Sequence, residues 1–460
     1  MNSDWIKEEF SGIDFRDERL NGRFYKVSTA FSVQPSAPIN QACEDWAATK
    51  AAYRLFDNEK VEAEEILRVH QLRTVKRMQG YPLLLAVQDS TLLDYTSHPK
   101  KQGIGPIGTK EQQIKGLVMH STLVFTPEGL PLGLLSQHIW ARDEEEIGQR
   151  DTRKVRPIED KESYKWLKAL EECCQKSLEG IQLVSVCDRE SDIYEFISQC
   201  EQLKRPFTIR AAQDRAIISP RPSTLWRYMP SEAIGGYLEI EVPAKEGQPA
   251  RQAKAAIRFA KVKLRPPKRE GLAGSHTELL QPVEVYVVYL REVDAPEDIE
   301  PIEWMLLTNV PVQNFQDAVE RVSWYARRWG IEVYHKVIKS GCKVEDCRLE
   351  TTQRLLPYLT LFSIIAWRLY WMTLINRHNP EAPCSLILAE HEWKALYCKI
   401  HKSNQLPPKM PTVGEAVRWI AQLGGFLGRR RDGDPGIIVV WRGWHRLHDI
   451  ADTWLILKPG

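Results

Sequence analysis

The sequence has almost no net charge, since 63 Lys and Arg side chains face 61 Asp and Glu side chains, a formal net charge of +2. This balance excludes a broad basic field, so any site for a polyanion must come from the local distribution of charge. Its nine cysteines include no Cys-x-x-Cys pair, which argues against a zinc site and favours reduced thiols in a cytosol. The first residues carry no basic segment followed by an apolar one, so we expect no export signal.

Long apolar runs are also scarce, and only residues 355–375 are apolar enough to suggest a membrane span. This stretch contains Pro357 and a central Arg368, and its flanks are polar. We therefore interpret it as a buried helix and expect no membrane partner. Hydrophobic residues at 43% and charged residues at 27% indicate a soluble globular protein. A chain of 460 residues leaves room for about three domains.

The first 70 residues indicate an all-α N-terminal region. Apolar residues at helical spacing predict helices over 20–33 and 44–56. Acidic side chains outnumber basic ones in this region, so DNA binding here would depend on individual cations. A helical cap on the next domain is the alternative interpretation.

The pattern changes to strands from residue 81 onward. Short apolar or alternating runs predict strands, and the segment before the fourth strand predicts a helix. The strands are expected at 83–87, 117–125, 132–139, 181–187 and 207–209, and the helix at 161–178. Three antiparallel strands, a helix, a parallel strand, a helix and a strand form the order of a ribonuclease-H-like core. The fold class is therefore predicted to be α/β.

The remaining chain completes a prediction of three domains. Alternating segments within residues 212–307 predict a β-rich insertion into the core, and one continuous helix is expected over 314–340. Helical patterns return in the C-terminal region. The predicted domains are 1–72, all-α and DNA-binding; 73–375, the ribonuclease-H-like catalytic core with its insertion; and 376–460, α-helical and dimerising.

Two aspartates mark a possible site, because Asp89 and Asp188 each follow an apolar strand, where open α/β sheets bind their ligands. Alone, such an Asp is more often a cap or turn residue. The helix over 314–340 strengthens the functional interpretation. At about 100° per residue, its chemically useful side chains share an arc of roughly 80°. These are Tyr325, Arg328, Glu332, Lys336 and Lys339.

A solvent-exposed charged face would explain the Arg, Glu and Lys of this stripe by ordinary helix pairing. It explains the Tyr less well. Trp329 falls on the neighbouring arc, where we expect core packing. Three carboxylates are what a two-Mg²⁺ site requires, because hard cations prefer oxygen ligands. Such a site, with Arg and Lys beside it to hold phosphates, predicts metal-dependent cleavage of a DNA phosphodiester.

These residues resemble the motifs of bacterial DDE transposases of the IS-four family, most closely those of the transposon-five type. The resemblance covers nearly the whole chain, and the Tyr-x2-Arg-x3-Glu-x6-Lys spacing is its most specific part. It rests on residues 88–91, 187–192, Tyr325, Arg328, Glu332 and Lys339, with further likeness at 52–54, 423–426, Trp441 and Trp444.

The resemblance implies that Asp89, Asp188 and Glu332 form the catalytic, metal-binding triad. Two Mg²⁺ ions would act in each active site, and Mn²⁺ would substitute. Further DNA contacts are implied for Tyr325, Arg328, Lys336 and Lys339 near the transposon end, and for Arg19, Arg23 and Arg54 in the N-terminal region. Trp304 matches the tryptophan that stacks on a flipped base during hairpin formation; a core aromatic on a strand is the alternative.

The implied activity is cut-and-paste transposition in the bacterial cytoplasm. A homodimer would bind double-stranded transposon ends and target DNA, cleave through a hairpin intermediate, and join the 3′-hydroxyl ends to the target. Two other classes stay open: a ribonuclease-H-like nuclease or resolvase that cuts without joining, and a catalytically silent regulator derived from a transposase.

Overall fold

The computed structural model of the protein describes residues 3–109, 111–146, 156–176, 178–220, 223–242, 249–267, 280–429 and 432–457. Along these ranges the chain is mixed α/β, with a helical N-terminal region, a central mixed sheet and a helical C-terminal region. The predicted domain boundaries at residues 72 and 375 fall inside helices. The division into three domains stays a prediction.

Capped helices build the N-terminal region. They are α1 (Ser3–Glu9), α2 (Glu18–Val33), α3 (Ile39–Ala42), α4 (Trp46–Phe56) and α5 (Ala63–Met78). The side chains of Asp17 and Asp45 accept hydrogen bonds from backbone N–H groups in the first turns of α2 and α4, which satisfies donors that a helix start leaves free. The two helices expected here are confirmed. Helix α4 begins later than predicted, because Glu44 has a left-handed backbone with φ of 63°.

One mixed sheet of twelve strands runs through the described part of the chain. Its strands are β1 (Leu83–Asp94), β2 (Gly105–Pro106), β3 (Lys115–Phe125), β4 (Pro131–Trp140), β5 (Gln182–Cys187), β6 (Phe207–Arg210), β7 (Ala216–Ile217), β8 (Ser223–Thr224), β9 (Gly236–Val242), β10 (Arg251–Leu264), β11 (Val283–Val293) and β12 (Glu303–Thr308). The order is β2-β3-β1-β5-β6-β12-β11-β10-β7-β8, with β4 beside β3 and β9 beside β10.

The expected strands of the core and of the β-rich insertion are all present. Strand β1 is antiparallel to β3 and parallel to β5, and β5 is parallel to β6. The insertion continues the same sheet, because β12 pairs with β6 through Leu307 and Ile209. Strand β1 is longer than predicted and ends at Asp94, since β3 pairs with it as far as the Asp94–Gly116 pair.

The remaining helices cover the sheet and build the C-terminal region. They are α6 (Tyr164–Cys174), α7 (Tyr194–Gln202), α8 (Leu225–Tyr228), α9 (Phe315–Ala326), α10 (Trp329–Lys336), α11 (Thr352–His378), α12 (Glu390–His401), α13 (Val413–Leu423) and α14 (Ile437–Leu457). Helix α11 is long and apolar enough to cross a membrane, but 83% of its apolar window is buried inside the protein. This agrees with the prediction of a buried core helix.

A buried polar cluster joins the N-terminal helices to the sheet. Glu9 accepts a hydrogen bond from His70 Nδ1 at 2.5 Å and another from Arg77 at 2.6 Å. The other ring nitrogen of His70 accepts from the Leu134 N–H at 2.9 Å, and Arg77 donates to the Leu132 carbonyl at 2.6 Å. These bonds pair every member of a buried ionic group, which is the condition for tolerating buried charge.

Helices α13 and α14 cross so closely that glycine is required at the crossing. A Cβ on Gly443 would lie 1.6 Å from the Ile420 carbonyl oxygen, and one on Gly424 would lie 1.8 Å from the Val439 carbonyl oxygen. Trp444 is buried in the same region. Leu423 and Gly424 of the 423–426 motif and one of the two tryptophans therefore build the interior of the C-terminal region.

Candidate active site

Asp89 and Asp188 lie at the same level on two neighbouring parallel strands. The pairing of β1 with β5 ends at Val87 and Val186, and each aspartate stands two residues further along its own strand direction. Asp188 follows the last residue of β5, as predicted. Asp89 does not end its strand, so that prediction is wrong: it lies where the parallel pairing stops while β1 continues against β3.

Glu332 reaches the same place from helix α10 through a shared partner, Arg328. The Arg328 Nη1 atom lies 3.1 Å from Asp89 Oδ2, and the other terminal nitrogen pairs with Glu332. The side chains of Asp89, Arg328 and Glu332 are each partly buried. The structure therefore brings together four predicted site residues, namely Asp89, Asp188, Arg328 and Glu332.

The carboxylates of this cluster influence one another. Burial is the largest cause that raises the pKa of Asp89 to about 7, followed by the charge of Asp188, while Arg328 opposes the rise. The charge of Glu332 raises it further. Burial also raises the pKa of Asp188, against a hydrogen bond from the Glu190 N–H at 2.8 Å. Crowded, desolvated carboxylates of this kind are typical of catalytic and cation-binding sites.

The donor set fits a hard divalent cation, because carboxylate oxygens are the ligands that Mg²⁺ prefers. Along the described ranges, however, no three His, Cys, Asp or Glu side chains are arranged as a metal site. The guanidinium of Arg328 lies between Asp89 and Glu332 instead. The metal-binding role of the triad stays a prediction.

The helix expected over 314–340 is not continuous, so that prediction is wrong. Helix α9 ends at Ala326, α10 begins at Trp329, and residues Val337–Gly341 form a π-helical turn. Between the helices the N–H groups of Arg328 and Gly330 bond to carbonyls three residues back, which tightens the chain. The arc calculated for one straight helix does not hold across this break.

The break moves Trp329 to the surface. Its side chain is 64% exposed, so the prediction of core packing is wrong. Gly330, next in the chain, fits against the rings of Phe125 and Tyr370, where a Cβ would meet Phe125 Cζ at 2.8 Å. The one sequence feature that could have indicated a position near the site for Trp329 was its place directly after Arg328, inside the most specific motif.

Tyr325 and Trp304 meet beside the carboxylates. Their ring centroids are 5.0 Å apart with the planes at 73°, an edge-to-face contact. Tyr325 is only 5% exposed, whereas Trp304 is half-buried on β12. The guanidinium of Arg328 lies 5.9 Å from the Tyr325 ring centroid. Trp304 is therefore placed next to the motif, and its role with a flipped base stays a prediction.

Two lysines line the open side of the site. Lys339 donates to the Leu92 carbonyl at 2.9 Å and pairs with Glu345 at 3.3 Å, while Lys336 is exposed. They belong to a cleft of about 550 Å³. Its lining residues are Asp89, Ser90, Thr91, Glu332, His335, Lys336, Lys339, Ser340 and Glu345.

A buried histidine supports the strand of Asp89, and sequence reasoning missed it. His120 on β3 pairs across the strands with Ser90, and its Nδ1 lies 2.9 Å from the Ser90 hydroxyl. Its Nε2 lies 3.4 Å from the Gln88 side-chain oxygen. Burial holds the pKa of His120 well below its usual value, so the ring is neutral and shares a hydrogen bond with the Ser90 hydroxyl. No sequence spacing links residues 90 and 120, because strand register alone brings them together.

The three N-terminal cations lie on the α2–α4 region. Arg19 and Arg23 line a groove of about 380 Å³ whose floor includes Val27, Ala30 and Ala48. Arg54 is on the exposed side of α4. Trp46 and Tyr53 of the same helix are 77% and 39% exposed. This mixture of cations and exposed aromatics fits a polyanion with stackable or apolar groups.

Comparison with known protein families gives two matches. Residues 2–61 match the family described as transposase DNA-binding, and residues 364–453 match the family described as transposase Tn5 dimerisation domain. The first match spans helices α1 to α4, and the second runs from within α11 into α14. Together they support DNA binding and homodimer formation.

Proposed function

Since the chain is a Tn5-like transposase, we propose that it moves DNA by a cut-and-paste reaction at the cluster of Asp89, Asp188 and Glu332. The observation that carries this proposal is that Arg328, directly before α10, pairs with both Asp89 of β1 and Glu332 of α10, while Asp188 at the end of β5 lies close enough to raise the pKa of Asp89. A partly buried cluster of acids, in which burial and the neighbouring carboxylates raise the pKa of Asp89, suits chemistry on a phosphodiester.

The strand arrangement supports a ribonuclease-H-like core. Five neighbouring strands follow the order β4-β3-β1-β5-β6, with β1, β5 and β6 parallel and β3 antiparallel to β1. The sequence of elements along the chain, three antiparallel strands followed by two strands that each come after a helix, is the one expected for such a core. It would place the two aspartates at the centre of the sheet, where adjacent strands are rigid and their side chains are held in register.

Mg²⁺, or Mn²⁺ in its place, would be held by Asp89, Asp188 and Glu332, and a pair of such ions supplies activated water and stabilises the leaving oxygen. Arg328, Lys336 and Lys339 would hold phosphate oxygens along the cleft, because cations give charge-assisted hydrogen bonds to phosphates. Arg328 would exchange its carboxylate partners for phosphate as DNA enters.

The proposed reaction is a series of phosphoryl transfers, each of which forms one P–O bond and breaks another. Water first cuts one strand at each end and leaves a 3′-hydroxyl. That hydroxyl attacks the opposite strand and forms a hairpin, and a second water opens it. The 3′-hydroxyl ends then attack target DNA, so no covalent protein intermediate is needed. Trp304 would stack on the base that leaves the duplex at the hairpin step.

The N-terminal helices would bind the transposon ends. Arg19, Arg23 and Arg54 would contact phosphates, and the exposed face of α4 would lie against the duplex. The C-terminal region would hold two subunits together when both ends are paired. We propose the bacterial cytoplasm as the place of this reaction.

The decisive experiment uses DNA that carries the inverted repeats flanking the gene, a target plasmid, Mg²⁺ and the purified full chain. Nicked, hairpin and joined products appearing in that order would support the proposal. Cutting without joining would indicate a nuclease or resolvase. Tight end binding with no cutting in Mg²⁺ or Mn²⁺ would indicate a silent regulator, and either result would overturn the proposal.

A further inference from the structure

Lys165 is a buried cation close to the carboxylate cluster. Its side chain, on the first turn of α6, is only 7% exposed. Its ammonium lies 3.2 Å from Glu190 Oε2 and 3.7 Å from Glu162 Oε1. Burying an ammonium is costly unless the charge is paired, so an apolar side chain would be the simpler way to fill this space.

Glu190 connects this lysine to Asp188. It lies in the short 3-10 turn Arg189–Ser191 that directly follows Asp188, and its backbone N–H donates to Asp188 Oδ1 at 2.8 Å. The side chain of Glu190 is 65% exposed, so its surroundings do not fix it by packing. The buried Lys165 is the anchored partner of the pair.

The other partners of Lys165 are themselves held in place. Arg142 donates to both oxygens of Glu162, at 2.6 and 2.8 Å. The ammonium of Lys165 lies 5.6 Å from the Trp166 ring centroid, and Trp166 packs edge-to-face on His120 at 4.6 Å. Since His120 supports the strand of Asp89 through Ser90, contacts connect Lys165 to Asp89 as well as to Asp188.

We propose that Lys165 is a positioning residue that fixes the Asp188 turn through Glu190, so that the Asp188 carboxylate is ready to bind a divalent cation. This inference rests on the proposed function of the triad. The ammonium also acts on Asp188 directly as a neighbouring positive charge. Without the Lys165 ammonium the turn is free to move. The Asp188 carboxylate must then be ordered when the cation binds, which weakens binding.

The test compares Lys165→Met with Lys165→Arg and Lys168→Met. Methionine keeps the unbranched shape and adapts to the space, while arginine keeps the charge. Lys168 is exposed on the same helix and serves as the matched control. Mn²⁺ binding is measured by electron paramagnetic resonance on the protein bound to an already-cut end duplex, which leaves no bond to hydrolyse.

We expect Lys165→Met to weaken Mn²⁺ binding at least fivefold. The Mn²⁺ concentration for half-maximal cleavage should rise by the same factor. The cleavage rate at saturating Mn²⁺ should stay within twofold. Lys165→Arg should restore most of the affinity, and Lys168→Met should match the parent chain. Glu190→Gln, a change at an exposed side chain, should reproduce the Lys165→Met effect even if the latter fails to fold.

Unchanged Mn²⁺ affinity in Lys165→Met and Glu190→Gln, with only a lower melting temperature, would overturn the inference and leave Lys165 a packing residue. Asp188→Ala, measured in parallel, separates the two proposals. If Asp188→Ala still binds Mn²⁺ and cleaves, the proposed function fails. If Asp188→Ala loses both while Lys165→Met loses neither, only the positioning role fails.

Discussion

The Arg328 guanidinium lies 3.1 Å from the Asp89 carboxylate, and it also pairs with Glu332 one helical turn further along. One planar cation thus holds two carboxylates that would otherwise repel each other. We expect Arg328→Lys to slow end cleavage at least tenfold, because lysine keeps the charge but cannot form both contacts in one plane. Binding to an end duplex should change less than threefold. Arg327→Lys, at the exposed neighbour, should be close to the parent chain in both assays, and equal losses in the two variants would contradict this role.

Removing any one carboxylate of the triad should abolish cleavage. Asp89→Ala, Asp188→Ala and Glu332→Ala each delete oxygen donors that the chemistry requires, while the DNA-binding helices are untouched. Gel-shift and cleavage assays in Mg²⁺ check this, with end binding expected within twofold of the parent. Asp94→Asn is the matched control, since Asp94 is an exposed carboxylate on the same strand. Normal cleavage by any of the three alanine variants would refute the site.

Trp304→Ala should slow hairpin formation more than first-strand nicking. The half-buried indole contacts Tyr325, and an aromatic face stabilises an extruded base by about 1–3 kcal/mol. Rapid-quench assays resolve the two steps. An equal loss at both steps would assign Trp304 to core packing.

The free energy of unfolding of two tryptophan variants provides a further check on Trp304. The exposed Trp329 makes Trp329→Ala nearly neutral, within about 0.5 kcal/mol. Trp304→Ala should cost more, because it also loses an edge-to-face contact worth about 0.5–1.5 kcal/mol. Chemical unfolding of both variants measures the difference.

Acid should destabilise the chain through the cluster of Glu9, His70 and Arg77. Burial alone would raise the pKa of Glu9, but Arg77 and His70 lower it to about 2. The contribution of Glu9 to stability is therefore fully present above the usual carboxyl pKa of 4.5 and is lost as pH falls toward 2. Burial also lowers the pKa of His70, and this acts in the same direction below its usual pKa of 6.5.

The corresponding measurement follows urea unfolding at pH 7, 4.5 and 3. Glu9→Gln should lose on the order of 3 kcal/mol at pH 7 and should depend less on pH than the parent. Glu8→Gln, at the exposed neighbouring position, should keep the parent's pH dependence. If the free energy of unfolding of Glu9→Gln fell with pH as steeply as that of the parent, the pH dependence would not come from Glu9.

Gly443→Ala should disrupt the crossing of α13 and α14. Its Cβ would lie 1.6 Å from a backbone oxygen, so the helices must separate, and we expect loss of complexes with two paired ends in light scattering. Gly436→Ala is the control, because a Cβ there meets nothing within 4 Å. Paired complexes that survive in Gly443→Ala would show that this crossing does not support dimerisation.

Much of the site followed from local patterns. Arg328 and Glu332 were expected on one face because residues four apart adjoin on a helix, and the break at residues 327–328 leaves that pair intact. Asp188 follows its strand as the apolar run indicated. The prediction that Trp329 packs in the core was wrong because it assumed one uninterrupted helix. His120 and Lys165 gave no signal, because their partners lie far away in sequence.

The amino-acid order alone determined most of the helices and strands and the motif spacing, since these depend on neighbours within a few residues. It also determined the acidic side chains available for chemistry. The tertiary structure alone decided that β1 continues past Asp89, that Asp89 faces Asp188, and that Arg328 lies between two carboxylates. The physical reason is that strand register and helix packing are set by burial and hydrogen bonds between segments that are distant in the chain.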